Sequence, residues 1–265
     1  MIQAKWRPSP VIKATAAVHL GAVFALGAGI AWPWTAGALL ANHAALTVAG
    51  LWPRSRWLGA NLLTLSCAAR DAQQIAITID DGPNPNVTPA VLDILDAFDA
   101  KASFFCVGKK VKSYPALARE ILRRGHGVEN HSYAHRHHFS LMLMGALRSE
   151  ITQAQDIICQ TTGCAPQYFR APAGLRNPLL DPVLHSLDLR LATWTRRGFD
   201  TVTSNSDTVL ARLENNLSPG DILLLHDGNC AHTLQGQPVI LEVLPKLLEN
   251  FFQKGFKAVS LADAA

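Results

Sequence analysis

Between Ala14 and Pro53 the chain carries no Asp, Glu, Lys or Arg, a run of 40 residues. A soluble fold rarely contains so long an uncharged stretch, so this run decides what the first quarter of the chain can become. Two halves of 19 residues, 14–32 and 34–52, flank Pro33 within Trp32-Pro33-Trp34. About 20 apolar residues cross the hydrocarbon core of a bilayer as a helix, so each half is long enough. Pro33 cannot continue the first helix, and paired tryptophans suit a headgroup interface. The pattern predicts a two-helix transmembrane hairpin within an N-terminal unit of residues 1–70. Two other readings stay open. One is a signal peptide with Lys5, Arg7 and Lys13 as its basic region and 14–31 as its apolar core, although a second apolar segment follows directly. The other is a pair of buried soluble helices.

Charge sets the orientation. Lys5, Arg7 and Lys13 precede the hairpin, Arg54 and Arg56 follow it, and its turn is uncharged. The excess of basic residues on the inner side of membranes puts both ends in the cytoplasm, with residues 71–265 on the cytoplasmic side of the inner membrane. Residues 55–67 read as an interfacial connector. Residues 1–70 hold six basic residues and no acidic one, which leaves 18 basic against 20 acidic residues in 71–265. That part has no basic excess to neutralise a phosphate backbone, so nucleic acid is excluded as a partner. The five cysteines form no C-x-x-C pair and read as small buried hydrophobes of a reducing compartment.

From residue 71 onward, strand-like and helix-like stretches alternate. Strands are expected at Ile75–Ile79, Ala102–Val107, His126–Asn130, Tyr168–Arg170, Leu191–Trp194, Ile222–Leu225 and Lys257–Val259. Helices are expected from Thr88, as N-cap, to Phe98, over Pro115–Arg124 closed by Gly125, over Gly145–Thr161, and near 178–187, 207–217 and 239–254. Repeated βα units imply a mainly parallel sheet, open or closed into a barrel.

Polar clusters follow four of these strands. Asp80-Asp81-Gly82-Pro83 places two adjacent carboxylates at a strand end, where they repel unless a cation or a shared proton relieves them. His131-Ser132-Tyr133-Ala134-His135 spaces two histidines four apart, as on one face of a helical turn. With a carboxylate they make a two-His, one-carboxylate metal site with open positions, suited to zinc or non-haem iron. Arg170-Ala171-Pro172-Ala173-Gly174 offers a fixed guanidinium and a turn that can aim a backbone N–H at an oxyanion. Leu225-His226-Asp227-Gly228 ends a very apolar strand in an imidazole able to act as a general acid. The bland alternatives are a capping turn, a histidine-rich loop (His137 and His138 lie close by), a solvated Arg and a structural His.

The ordered set TIDDGP, HSYAH, RAPAG and LLLHDG resembles the polysaccharide deacetylases of NodB-homology type, carbohydrate esterase family 4, over residues 73–262. The resemblance implies an α/β fold, a distorted (β/α)7 barrel, that removes acyl groups from amino sugars with a divalent metal, zinc above all. It implies Asp80 as general base, Asp81, His131 and His135 as metal ligands, and Arg170 as the residue that orients Asp80. It further implies an oxyanion contact from the Ala173 N–H, and His226 as general acid tuned by an Asp, for which Asp200 is the candidate. Two positions depart from the pattern: Ala173 is often aromatic in the family, and Thr201 stands where a tryptophan is usual. Arg196 and Arg197 near this altered wall are candidates to meet an anionic group such as a phosphate. The substrate expected is an N-acetyl or N-formyl amino sugar of a glycan or a lipid-linked sugar at the membrane. The alternatives are an extracytoplasmic deacetylase of wall glycan or exopolysaccharide, and an inactive carbohydrate-binding scaffold.

Overall fold

The computed structural model describes residues 5–30 and 32–264. Two long helices, α1 (Pro10–Gly27) and α2 (Trp32–Leu51), come first, then the short α3 (Cys67–Asp71). The remainder runs β1 (Gln74–Asp80), α4 (Thr88–Ala97), β2 (Ala102–Cys106), α5 (Gly108–Ser113), α6 (Pro115–Arg123), β3 (Gly127–Asn130), α7 (Met144–Thr162), β4 (Tyr168–Phe169), α8 (Leu180–Ser186), β5 (Arg190–Leu191), β6 (Arg196–Arg197), α9 (Ser206–Glu214), β7 (Ile222–His226), α10 (Val239–Lys254) and β8 (Lys257–Val259).

Every pairing between these strands is parallel, in the order β5-β4-β3-β2-β1-β7-β6, with β8 beside the start of β1. The sheet curls into a parallel half-barrel, and its two edge strands, β5 and β6, are successive pieces of one segment, 190–197. Of the strand expected at Leu191–Trp194 only Leu191 lies in a strand; two short strands flank the rest, β5 before it and β6 after it, and they pair with different neighbours. Strand periodicity sorts the side chains. Ile75, Ile77 and Ile79 join Phe104, Leu223, Leu225 and the helices in the main core, while Ala76 joins Phe105, Tyr168 and Ile222 on the concave side. Thr78, Asp80 and His226 share the concave phase, which puts polar groups at its C-terminal end.

Most other boundaries fall within two residues of expectation. Thr88 is not the N-cap of α4; that position is Val87, and the Thr88 hydroxyl accepts from Asn84 N and donates to Asp227. Helix α5 has too few apolar residues to be read from periodicity. Of the five free cysteines only Cys106 and Cys230 are buried, so the expectation of buried hydrophobes fails for Cys67, Cys159 and Cys164.

Helices α1 and α2 pack on each other. Thr15 Oγ1 donates to Asn42 Oδ1 at 3.0 Å, and the rings of His19 and His43 meet edge-on at 5.2 Å. Helix α1 is apolar on every side yet largely uncovered, with Phe24 77% exposed. Among the described residues it alone is long and apolar enough to cross a membrane. Helix α2 falls short, with Asn42 and His43 at its middle. Trp32-Pro33-Trp34 opens α2 rather than breaking the pair, and α1 ends earlier, at Gly27.

The base of this helix pair is fixed to the barrel. Trp6 Nε1 donates to Asp181 at 2.8 Å, and Arg176 N donates to Gly50 O at 3.1 Å. The connector then becomes part of the sheet: Leu62 N donates to Leu191 O, Thr193 N to Leu62 O, and Leu65 N to Gly220 O.

Candidate active site

Asp80 and His226 are register partners on β1 and β7. Both point into one cavity of about 200 Å³, shared with Asp81, His131, His135 and Ala173. Arg170, directly after β4, is fully buried. Its guanidinium donates to Asp80 Oδ1 at 2.7 Å, to Thr78 Oγ1 at 2.8 Å, and to the carbonyls of Thr193 and Ala192 at 2.8 and 3.2 Å. Phe105 stacks 4.0 Å below it. The bonds leave Asp80 Oδ1 occupied and Asp80 Oδ2 aimed toward His131, 3.8 Å from its Nε2.

Asp81, His131 and His135 bring one ligand atom each within 4.8 Å of one another. Asp81 Oδ1 lies 3.3 Å from His131 Nε2 and 3.1 Å from His135 Nε2, and this buried oxygen has no well-formed hydrogen bond among the described residues. His131 Nδ1 donates to Arg170 O at 2.8 Å, which leaves Nε2 free to accept a metal. The donor set fits a divalent cation such as zinc. The two histidines are not on a helical turn. A bend brings them together, with Ser132 at φ 61° and His135 at φ 48°, held by Asn130 Oδ1 on Ser132 N and by Ser132 Oγ on His135 N. Glu150 on α7 anchors the bend through Ala134 N at 2.9 Å. Asp81 and Ala173 also take left-handed backbone, φ 73° and 54°, so four site residues sit in conformations that non-glycine residues rarely adopt.

His226 Nδ1 lies 2.8 Å from Asp200 Oδ1, and the backbone N–H of His226 donates to Asp200 Oδ2 at 2.7 Å. Both oxygens of the buried Asp200 are thereby committed, and His226 Nε2 is left for the cavity. Burial works against a charge on His226, but the Asp200 carboxylate outweighs it and raises the imidazole above its usual range. Burial likewise opposes protonation of His131, yet Asp80 and Asp81 outweigh it and raise it. His135 moves down through burial and the neighbouring His131. Burial disfavours the Asp81 carboxylate, but His131 and His135 hold it well below the carboxylate range.

All eight residues singled out from the sequence for a site meet here. Several others were missed. Asn229 Nδ2 donates to Asp81 Oδ2 at 2.9 Å, and Lys110 Nζ donates to Asp81 O at 2.7 Å. Trp194 packs between Arg170 and Arg197, with each guanidinium within 6 Å of the ring. Burial raises Asp227 to about 7, and its carboxylate accepts from Thr88. Asn229 directly follows the His-Asp-Gly turn, and that adjacency was the available signal. At Gly228 a Cβ would lie 2.1 Å from Asp81 O, so only glycine lets the β7 turn approach the β1 turn. Arg196 leaves the cavity for Asp221, 3.1 Å away, whereas Arg197 lines it.

Residues 68–192 match the family model described as polysaccharide deacetylase. A chitooligosaccharide deacetylase of Azorhizobium caulinodans is 34% identical over 62% of this chain and 80% of its own length. A peptidoglycan-N-acetylglucosamine deacetylase of Bacillus cereus is 28% identical over 80% of this chain and 75% of its own. The solved family 4 carbohydrate esterase of Streptomyces lividans, in complex with acetate, superposes with a TM-score of 0.63 at 27% identity, over 70% of this chain and 91% of that one.

Proposed function

The chain belongs to the polysaccharide deacetylase family and is a carbohydrate hydrolase of deacetylase type, and on that premise we propose that it removes an N-acyl group, acetyl or formyl, from an amino sugar held at a membrane. The observation that carries the reading is the joint placement of Asp80, the Asp81–His131–His135 group and His226 in one cavity, with Asp200 buried behind His226. We assign Asp81, His131 and His135 as the ligands of a divalent metal, with zinc the best fit. When bound, it supplies Lewis-acid polarisation of the acyl carbonyl and a lower pKa for water. Asp80, oriented by Arg170, accepts the proton of the attacking water. The Ala173 N–H lies at the cavity wall as an oxyanion donor. His226 gives its Nε2 proton to the departing amine, and Asp200 keeps it charged until then.

We divide the chain into a membrane unit, 1–70, and a catalytic unit, 71–265, and read β5 and β6 as one interrupted strand of a seven-stranded barrel. In this reading α1 and α2 form a transmembrane hairpin with both ends cytoplasmic, supported by the basic residues on both flanks. The substrate is then a lipid-linked amino sugar rather than finished wall polymer. A second reading, an extracytoplasmic deacetylase of wall glycan or exopolysaccharide, is favoured by the names of the relatives and by α1 being the one helix that passes as a span. A reporter fused after Ala265 and active on one side of the membrane separates the two. Release of acetate or formate from N-acylated sugars, abolished by a chelator and restored by zinc, tests the activity. No release with any such sugar would overturn it.

A further inference from the structure

Among the described residues, Arg197 is the one guanidinium lining the cavity, and it has no polar partner there. It stands on β6 opposite Leu224, which also lines the cavity. Its planar group is braced by two rings, Trp194 at 5.5 Å and Phe199 at 4.9 Å. Its Nε is buried with no hydrogen-bond acceptor, and no carboxylate among the described residues pairs with it. Nearby cations are committed elsewhere. Arg170 is saturated by Asp80, Thr78 and two carbonyls, Arg196 pairs with Asp221, and Arg212 donates to Gly198 O and Thr203 Oγ1. The cavity carboxylates are committed too, Asp80 to Arg170 and Asp81 to the two histidines.

A buried N–H without an acceptor destabilises the free protein, and an anion that arrives with the substrate relieves that cost. A neutral amino sugar offers only uncharged hydroxyl and amide oxygens, which do not balance the charge of a guanidinium braced by two rings. We propose that Arg197 makes the site selective for an amino sugar carrying an anionic group, phosphate or carboxylate, within one sugar ring of the acylamino carbon. The proposal rests on the deacylase reading and names its substrate class. The cavity measures about 200 Å³ and contains both Arg197 and Asp80, which keeps the anion that close to the scissile amide.

The test is equilibrium binding to the zinc-loaded full chain in detergent, carrying Asp80→Asn so that nothing turns over. The probes are N-acetylglucosamine, N-acetylglucosamine 1-phosphate and N-acetylmuramic acid. One anionic sugar binds roughly ten- to a hundredfold tighter than the neutral one, the range of a charge-assisted pair. Arg197→Gln removes that preference, and Arg197→Lys, which keeps the charge without the planar fork, restores part of it. Whichever anionic probe gains identifies phosphate or carboxylate. Equal binding of all three sugars, or a preference that survives Arg197→Gln in a variant that still binds zinc, overturns the proposal. Acyl release from the neutral sugar by the native chain is scored separately. Release without anion preference strikes Arg197 alone, and anion preference without release from any of these probes or their N-formyl counterparts strikes the deacylase reading alone.

Discussion

Asp80 and His226 face each other in register on adjacent parallel strands, β1 and β7. One hydrogen-bonded ladder therefore fixes the spacing between the residue we propose as general base and the residue we propose as general acid. Each is braced from behind by its own buried partner, Arg170 at 2.7 Å and Asp200 at 2.8 Å. The two braces carry opposite charge, and the Asp200 carboxylate favours an imidazolium on the His226 side of the cavity.

Replacing Asp80 by Asn keeps the shape and removes the basic oxygen. Turnover on an N-acetylated oligosaccharide falls by about 10²–10⁴-fold, the usual share of a general base, while zinc stoichiometry stays at that of the native chain. Steady-state rates together with metal analysis check this, and unchanged turnover would remove Asp80 from the role.

Asp200→Asn acts on pH dependence. In the proposed mechanism His226 works in its protonated form, and Asp200 raises the pH up to which that form persists. Without the carboxylate the alkaline limb of kcat/KM moves to lower pH. A rate profile with its alkaline limb unmoved would show that His226 is not the acid.

Metal uptake competes with a proton. Asp80 and Asp81 raise His131, and its Nε2 must be free of hydrogen to ligate. Affinity for zinc rises with pH until His131 is neutral, and binding below that point releases a proton to the buffer. Calorimetry in buffers of different ionisation enthalpy reads the proton count directly. His131→Ala loses the metal, and full occupancy in that variant contradicts the ligand set.

His126 lies outside the site, and its burial ties one contribution to stability to pH. Burial lowers its imidazole from 6.5 to about 4, and its ring meets the edge of Phe104. The unfolded chain takes up a proton as pH falls through 6.5, and the folded chain does so only near 4. The contribution of His126 to stability is therefore full above pH 6.5 and declines as pH falls from there to 4, by about 3 kcal/mol at most. Thermal unfolding of His126→Gln across this window loses less than the native chain, and equal losses would show that another group titrates.

The strands and long helices were legible because a buried parallel sheet leaves short apolar runs, and α7 and α10 show full helical periodicity ended by Gly163 and Gly255 in left-handed conformation. The site was legible because polar residues at the ends of apolar strands have few other uses. Segment 190–197 was not, since its split depends on which neighbours it meets, β4 at one end and β7 at the other. Spacing alone suggested a helical turn for His131 and His135; the bend follows from tertiary contacts to Asn130 and Glu150. Lys110 and Trp194 reach the site through contacts that no local pattern records, and α2 was read as apolar from its lack of charge although Asn42 and His43 dilute it.

The connector between α2 and α3 has a practical consequence for trimming the protein. Leu62 and Leu65 bond to Leu191, Thr193 and Gly220 and fill the sheet below the split in segment 190–197. A fragment that starts at residue 71 discards this filler and leaves main-chain donors and acceptors of β5 bare, a template for pairing with other chains. A fragment that starts near Trp52 sheds both long helices and keeps the seam closed. The soluble enzyme is therefore to be sought in the longer piece.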